Sequence, residues 1–212
     1  SLARLFAKQG MQVAVAARNP DKLAALCAET GATAYACDVI DEASVDAVFD
    51  AVVAEMGVPN LVVYNPSARV RGPIDEIDRD AVKNAVLITC YGGFVVGQKA
   101  ARLMLERGNG SILFTGASAS VQGYPNSSAF VIGKFGLRGL AQSMARELQP
   151  KGLHIGHFVI DGGIVKKSGD DRASGRGEDG MLDPDAIAES YLQVHGQHRS
   201  AWSWEIELRP WV

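Results

Sequence analysis

The sequence predicts an α/β fold, a doubly wound parallel sheet with helices on both faces, in three layers. Three observations predict it. Apolar runs of four to seven residues alternate along the chain with segments whose apolar residues recur every three or four positions. The runs are mostly continuous rather than polar-alternating, the pattern of strands buried on both faces. Asn, Asp and Pro open the helical segments and Gly closes them.

Leu2, Leu5 and Phe6 form a helix stripe that stops at Gly10, a natural residue just past a helix end. This opening segment has neither the long apolar core nor the small-residue cleavage site of a targeting peptide. Gln12–Ala16 is the first expected strand, and Asn19-Pro20-Asp21 starts a helix, with proline early where its missing N–H does no harm. Thr33–Cys37 is the second strand. Val45, Val48, Phe49, Val52, Val53 and Met56 then recur at a helical period that Gly57 ends. Leu61–Tyr64 is the third strand, followed by a long helical segment from Asp80 to Glu106 that stops at Gly108.

Ser111–Thr115 is the fourth strand. The helix Phe130–Leu148 follows, with Leu137, Leu140, Ala141, Met144, Ala145 and Leu148 on one face. His154–Ile160 is the fifth strand, Asp183-Pro184 caps a helix reaching His195, and Glu205–Leu208 is the sixth strand. Such alternation implies right-handed crossovers and a parallel sheet. Lys166–Gly180 is the one long irregular stretch, in the class of lids and disordered loops. With no repeat and no interdomain linker, residues 1–212 form a single expected domain.

Hydrophobic content of 47%, charged content of 21% and a net charge of −3 are ordinary for a globular protein and give no reason to expect nucleic acid or an anionic membrane as partner. Lys166-Lys167 reads as solvated loop charge. No apolar run is long enough to span a bilayer. Cys27, Cys37 and Cys90 have neither an even count nor a metal-ligand spacing, so they read as small apolar residues in a reducing cytoplasm.

In a doubly wound sheet, ligands lie beyond the carboxyl ends of the strands. The first strand is followed by Ala17-Arg18-Asn19. No acid stands there to hold ribose hydroxyls, and an arginine fork suits a 2′-phosphate, so NADP is favoured over NAD; the plain alternative is a surface arginine in a turn. Asp38-Val39 follows the second strand, Asn65-Pro66-Ser67-Ala68 the third, Gly116-Ala117-Ser118 the fourth and Asp161-Gly162-Gly163 the fifth. Phe130 and Lys134, four apart, lie one above the other on a helix.

Phe130-Val131-Ile132-Gly133-Lys134 resembles the tyrosine-x-x-x-lysine of the short-chain dehydrogenase/reductase family, with phenylalanine at the tyrosine position. The resemblance spans essentially the whole chain and implies a Rossmann-type domain. It makes Asp38 the adenine-binding aspartate, with Val39 beside it, although an aspartate after a strand is also a common helix cap. Asn65 keeps the first residue of the family's Asn-Ala-Gly, while Pro66 and Ser67 depart from it. Thr89-Cys90-Tyr91-Gly92-Gly93-Phe94 is similar to Asn-x-x-Gly-x-Phe. Thr89 there replaces the asparagine of a proton relay, and the glycine pair serves close helix packing.

Ala117 stands thirteen residues before Phe130, at the position of the substrate-orienting serine, and Ser118 is the alternative for that role. Gly162 would let the backbone approach a nicotinamide ring. Lys134 would hold the nicotinamide ribose and, in the family, lowers the pKa of the missing phenol. The family's first strand and glycine-rich turn, a βα unit of roughly 20–30 residues, are expected upstream of Ser1.

The resemblance implies an NADP(H)-linked oxidoreductase interconverting a small-molecule carbonyl and alcohol, of low activity. The alternative is a catalytically inactive NADP(H)-binding pseudoenzyme acting as a sensor or assembly partner. Tyr91 and Tyr124 are the candidate substitutes for the phenol, each with a packing role as the plainer alternative. A homodimer or homotetramer is expected through the two long helices and the C-terminal strand, where Trp202, Trp204 and Trp211 cluster.

Overall fold

A computed structural model describes residues 1–166, 169–173 and 175–212. Its principal elements are α1 (Leu2–Lys8), β1 (Ala14–Ala17), α2 (Ala24–Thr30), β2 (Thr33–Ala36), α3 (Glu42–Met56), β3 (Leu61–Tyr64), α4 (Arg79–Val86), α5 (Gly92–Arg107), β4 (Gly110–Thr115), α6 (Ser128–Leu148), β5 (Leu153–Ile160), α7 (Pro184–His195) and β6 (Glu205–Leu208). Strand pairing is parallel throughout these elements. The α/β alternation is the one the sequence predicts.

Local chemistry sets the boundaries. Asp41 caps α3, its Oδ1 accepting from the amides of Ala43 and Ser44, and Asp183 does the same for α7 ahead of Pro184. The first strand lies two residues later than Gln12, because pairing with β2 begins at Ala14 opposite Thr33. The helix expected at Pro20 begins as a 3-10 turn, Pro20–Leu23, before α2. The long helix is interrupted by a π turn, Leu87–Tyr91, between α4 and α5.

Alternate residues of the strands feed opposite faces. Ile112 and Phe114 of β4 and Leu153 and Ile155 of β5 pack with Val45 and Phe49 of α3, Met104 of α5 and Leu137 and Ala141 of α6. Leu113, Phe158 and Ile160 pack on the other face with Phe6 of α1 and with Ile187, Tyr191 and Val194 of α7. These are the three expected layers.

The sheet itself is split. β3, β4, β5 and β6 form one four-stranded unit in that order, while β1 and β2 pair only with each other. β1 and β3 both line a cavity of about 1140 Å³, which α1 and α3 flank. The irregular segment Lys166–Gly180 contains a 3-10 turn at Asp171–Ala173, and Arg172 forms an ion pair with Asp170. Lys167, Ser168 and Ser174 lie outside the described residues.

Candidate active site

Five of the residues expected to bind a cofactor come together along the large cavity. Arg18 leaves β1, Asp38 and Val39 leave β2, and Asn65 and Pro66 leave β3; all five line it. Arg18 is exposed and has no hydrogen-bond or ion-pair partner among the described residues, so its guanidinium fork is available to an anion. Asn19 accepts from the Asp21 amide at 3.0 Å and caps the turn that follows. Asp38 is half-buried; its Oδ1 accepts from the Ile40 amide at 3.3 Å, and its own amide donates to Ser44 Oγ.

The loop carrying Asn65 is tied to the helical layer. The Ala68 amide donates to Thr89 Oγ1 at 3.0 Å, and Thr89 is fully buried in the π turn. Thr89, at the family's asparagine position, therefore positions this loop. Gly133 makes room for it, since a Cβ there would stand 2.8 Å from Thr89 Cβ. The Gly92-Gly93 pair has the packing role expected of it: a Cβ at Gly92 would meet Tyr64 Oη at 2.5 Å, and one at Gly93 would meet Leu137 Cδ1 at 2.5 Å.

On the opposite side, Ala117, Ala119 and Phe130 form one buried apolar cluster with Val131 packed against it. The two positions where the resemblance implies serine and tyrosine thus do meet. Ala117 has extended backbone, and its amide donates to the buried Ser120 Oγ at 3.1 Å. Ser118 is half-buried and opens a 3-10 turn, its carbonyl accepting from the Val121 and Gln122 amides.

Lys134 is buried one helical turn beyond Phe130, and its Nζ donates to the Thr115 carbonyl at 2.5 Å. Burial, then the charge of Arg69, pull its pKa down to about 8. Gly162 is exposed beyond β5, where a Cβ would meet Pro210 Cδ at 2.8 Å.

Three features were missed from the sequence. Arg69 lays its guanidinium over the Phe130 ring, Cζ 4.0 Å from the centroid. The only available signal was the Arg69-Val70-Arg71 run in the loop after the third strand. Behind Lys134, the buried His157 places Nδ1 3.0 Å from Glu205 Oε2, and Arg138 grips the same carboxylate through two bonds of 2.6 and 2.8 Å. Burial holds the His157 pKa at about 4, against the pull of Glu205. Finally, Ser128 Oγ is buried without a hydrogen-bond partner at a second cavity, of about 510 Å³.

Neither candidate tyrosine faces the lysine. Tyr91 Oη donates to a Glu42 carboxylate oxygen on α3, while Tyr124 lines the smaller cavity and accepts from Gln122 Nε2. Phe130 cannot transfer a proton and Ala117 cannot hydrogen-bond a carbonyl oxygen. Lys134 can hold a ribose hydroxyl, and Arg18 and Asp38 can hold the adenosine end of a dinucleotide. Among the described residues no His, Cys, Asp or Glu cluster has the form of a metal site, and no helix is long and apolar enough to cross a membrane.

Known proteins share both the sequence and the architecture. A family model described as Enoyl-(Acyl carrier protein) reductase matches residues 1–180. D-threitol dehydrogenase of Mycolicibacterium smegmatis is 29% identical over 160 residues, covering 73% of this chain and 62% of its own length. 2-Dehydro-3-deoxy-L-rhamnonate dehydrogenase (NAD(+)) of a Sphingomonas species is 34% identical over 155 residues, covering 71% of this chain and 61% of its own. The matched region is thus under two thirds of the length of either relative. A crystal structure of a short-chain dehydrogenase from Rhodopseudomonas palustris superposes with a TM-score of 0.85 at 37% identity, over 99% of this chain and 92% of that one. With its parallel sheet, its buried lysine and these likenesses, the chain belongs to the short-chain dehydrogenase/reductase family.

Proposed function

We propose that this protein is a nicotinamide-dependent oxidoreductase that prefers NADP(H) and interconverts a small carbonyl compound and its alcohol, slowly. The observation that carries this is the convergence of Arg18, Asp38, Val39, Asn65 and Pro66, from the ends of three strands, on one cavity. When bound, the cofactor supplies the hydride chemistry. Arg18 holds its 2′-phosphate, Asp38 and Val39 its adenine, Asn65 and Pro66 its inner edge, and Lys134 its nicotinamide ribose. The exposed backbone at Gly162, beyond β5, meets the nicotinamide ring. Ser118 takes the substrate-orienting role left open by Ala117.

The Sphingomonas relative is named for NAD(+), so the choice of NADP(H) rests on Arg18 and on the lack of an acid at Ala17. We place the protein in a reducing cytoplasm, which the free thiols of Cys27, Cys37 and Cys90 support. A homodimer or homotetramer is supported by exposed apolar side chains on the two long helices, Phe94 and Leu105 on α5 and Ile132 and Phe135 on α6. The tryptophans contribute less than the sequence suggested: Trp202 stacks on His154, Trp204 packs against the core, and Trp211 alone is highly exposed.

The apolar packing of Ala117 against Phe130 favours a second possibility, a cofactor-binding pseudoenzyme. One set of measurements decides between the two. NADPH and NADH are titrated first: NADPH should bind more tightly, and Arg18→Ala should cost about 1.5–3 kcal/mol of NADPH binding while leaving NADH unchanged. Equal affinities in the wild type would end the NADP preference. A reactive carbonyl is then offered with NADPH. Phe130→Tyr/Ala117→Ser should raise turnover by about tenfold or more, and Lys134→Ala in that background should remove the gain. NADPH binding with no turnover in either protein would establish the pseudoenzyme.

A further inference from the structure

We infer that the substrate carries a carboxylate, and that Arg69 is the residue that recognises it. This rests on the assignment above of Phe130 and Lys134 to the substrate end of an oxidoreductase site. Three cationic groups gather there. Arg69 Cζ lies over the Phe130 ring, 4.0 Å from its centroid, Lys134 Nζ is 5.9 Å from the same centroid, and Arg71 is near enough to act electrostatically on Arg69. Neither Arg69 nor Arg71 has an acidic partner among the described residues.

Arg69 and Arg71 are exposed, so an anion can reach them, and water screens part of their mutual repulsion. The cation–π contact with Phe130 restricts the Arg69 guanidinium, so less freedom is lost when its fork meets a planar carboxylate. The phenylalanine that removes the proton donor thus also gives the arginine an aromatic seat.

The adjoining cavity suits the rest of a small acid. The apolar floor continues from Phe130 to Val131, which lines the cavity of about 510 Å³, and Gly72 lines it next to Arg71 in the chain. Ser128 lines the same space, with its Oγ buried and without a hydrogen-bond partner. Asp75 is the one acid in the lining.

Pyruvate and its neutral isostere pyruvamide provide the test, with inorganic phosphate as a third probe. Binding is measured by ligand-observed NMR to the wild type, Arg69→Met and Arg69→Lys, with and without NADPH. Arg69→Met keeps an unbranched stem over Phe130 and removes the charge, and circular dichroism melts verify that each variant folds. Pyruvate should bind at least about tenfold more tightly than pyruvamide. Arg69→Met should erase that preference, and Arg69→Lys should keep part of it.

The NADPH affinity of Arg69→Met should stay within about threefold of the wild type. A preference that is absent in the wild type, or that survives in Arg69→Met, overturns the inference. Phosphate binding tenfold more tightly than pyruvate would overturn the carboxylate assignment. A tenfold loss of NADPH affinity in Arg69→Met would make Arg69 a cofactor contact, with the same result. If NADPH fails to bind the wild type while the Arg69-dependent preference persists, the anion site stands and the oxidoreductase proposal falls.

Discussion

β1 and β2 carry Ala-Val-Ala-Ala and Thr-Ala-Tyr-Ala, and none of these residues is fully buried; β5 carries Leu-His-Ile-Gly-His-Phe-Val-Ile, and all of them are. All three are parallel strands. They differ in what surrounds them. β5 lies between β4 and β6 with α6 on one face and α7 on the other, whereas β1 has one partner strand and a cavity. Local apolar content makes a strand, but its neighbours decide how much it stabilises. The candidate site residues divide in a similar way. Five of those that match the family's cofactor contacts line the cavity, whereas Ala117 and Phe130, which depart from its catalytic pair, form a separate buried apolar cluster with Ala119.

The largest expected effect is on stability. Leu113 on β4 is fully buried, so Leu113→Ala should lose about 2–5 kcal/mol in urea unfolding. Val15 on β1 is half-buried and borders the cavity, so Val15→Ala should lose less than about 1 kcal/mol. Equal losses would mean that the two sheets form one evenly packed unit.

Acid should act chiefly on the packed region, because two of the four histidines, His154 and His157, are buried in β5. His157 is neutral when folded, with burial holding its pKa at about 4 against an ordinary 6.5. Between those values the unfolded chain binds a proton that the folded chain refuses. The stability conferred by the neutral ring is therefore complete above about pH 6.5 and is lost as pH falls toward 4, by up to about 3 kcal/mol. Burial pushes His154 and His195 in the same direction. Unfolding midpoints between pH 4 and 8 should follow this slope, and His157→Gln should flatten it. An unchanged slope in that variant would remove His157 from the account.

How legible the molecule was follows the same division. β3, α7 and β6 were placed to the residue, because strong caps or turn residues bound short apolar runs. β1 was placed two residues early, since periodicity cannot show where a partner strand begins. The meeting of Ala117 with Phe130 followed from their spacing and the family pattern, whereas the burial of Lys134 did not, because a lysine on a helix ordinarily reads as solvated. Arg69 was invisible because a loop arginine shows no period, and its seat on Phe130 arises only when the loop folds over α6. The His157–Glu205–Arg138 network joins three elements far apart in sequence, which no local pattern reports.

The smallest effect tests a tie between the two regions. Thr89 belongs to the packed helical layer, yet its Oγ1 holds the Ala68 amide in the loop that lines the cavity. Thr89→Val keeps the shape and removes the acceptor. Ala68 is only half-buried, so water can take part of the bond and the loss should be about 0.5–1.5 kcal/mol. A global melt would barely register a change of that size, so the sharper readout is hydrogen exchange. In Thr89→Val the Ala68 amide should exchange about tenfold faster while the β5 amides keep their protection. Thr89→Ser restores the acceptor and should restore Ala68 protection even though it loses a buried methyl. If exchange in β5 accelerates equally, the loop and the packed sheet open together, and the division between the two regions does not extend to their motions.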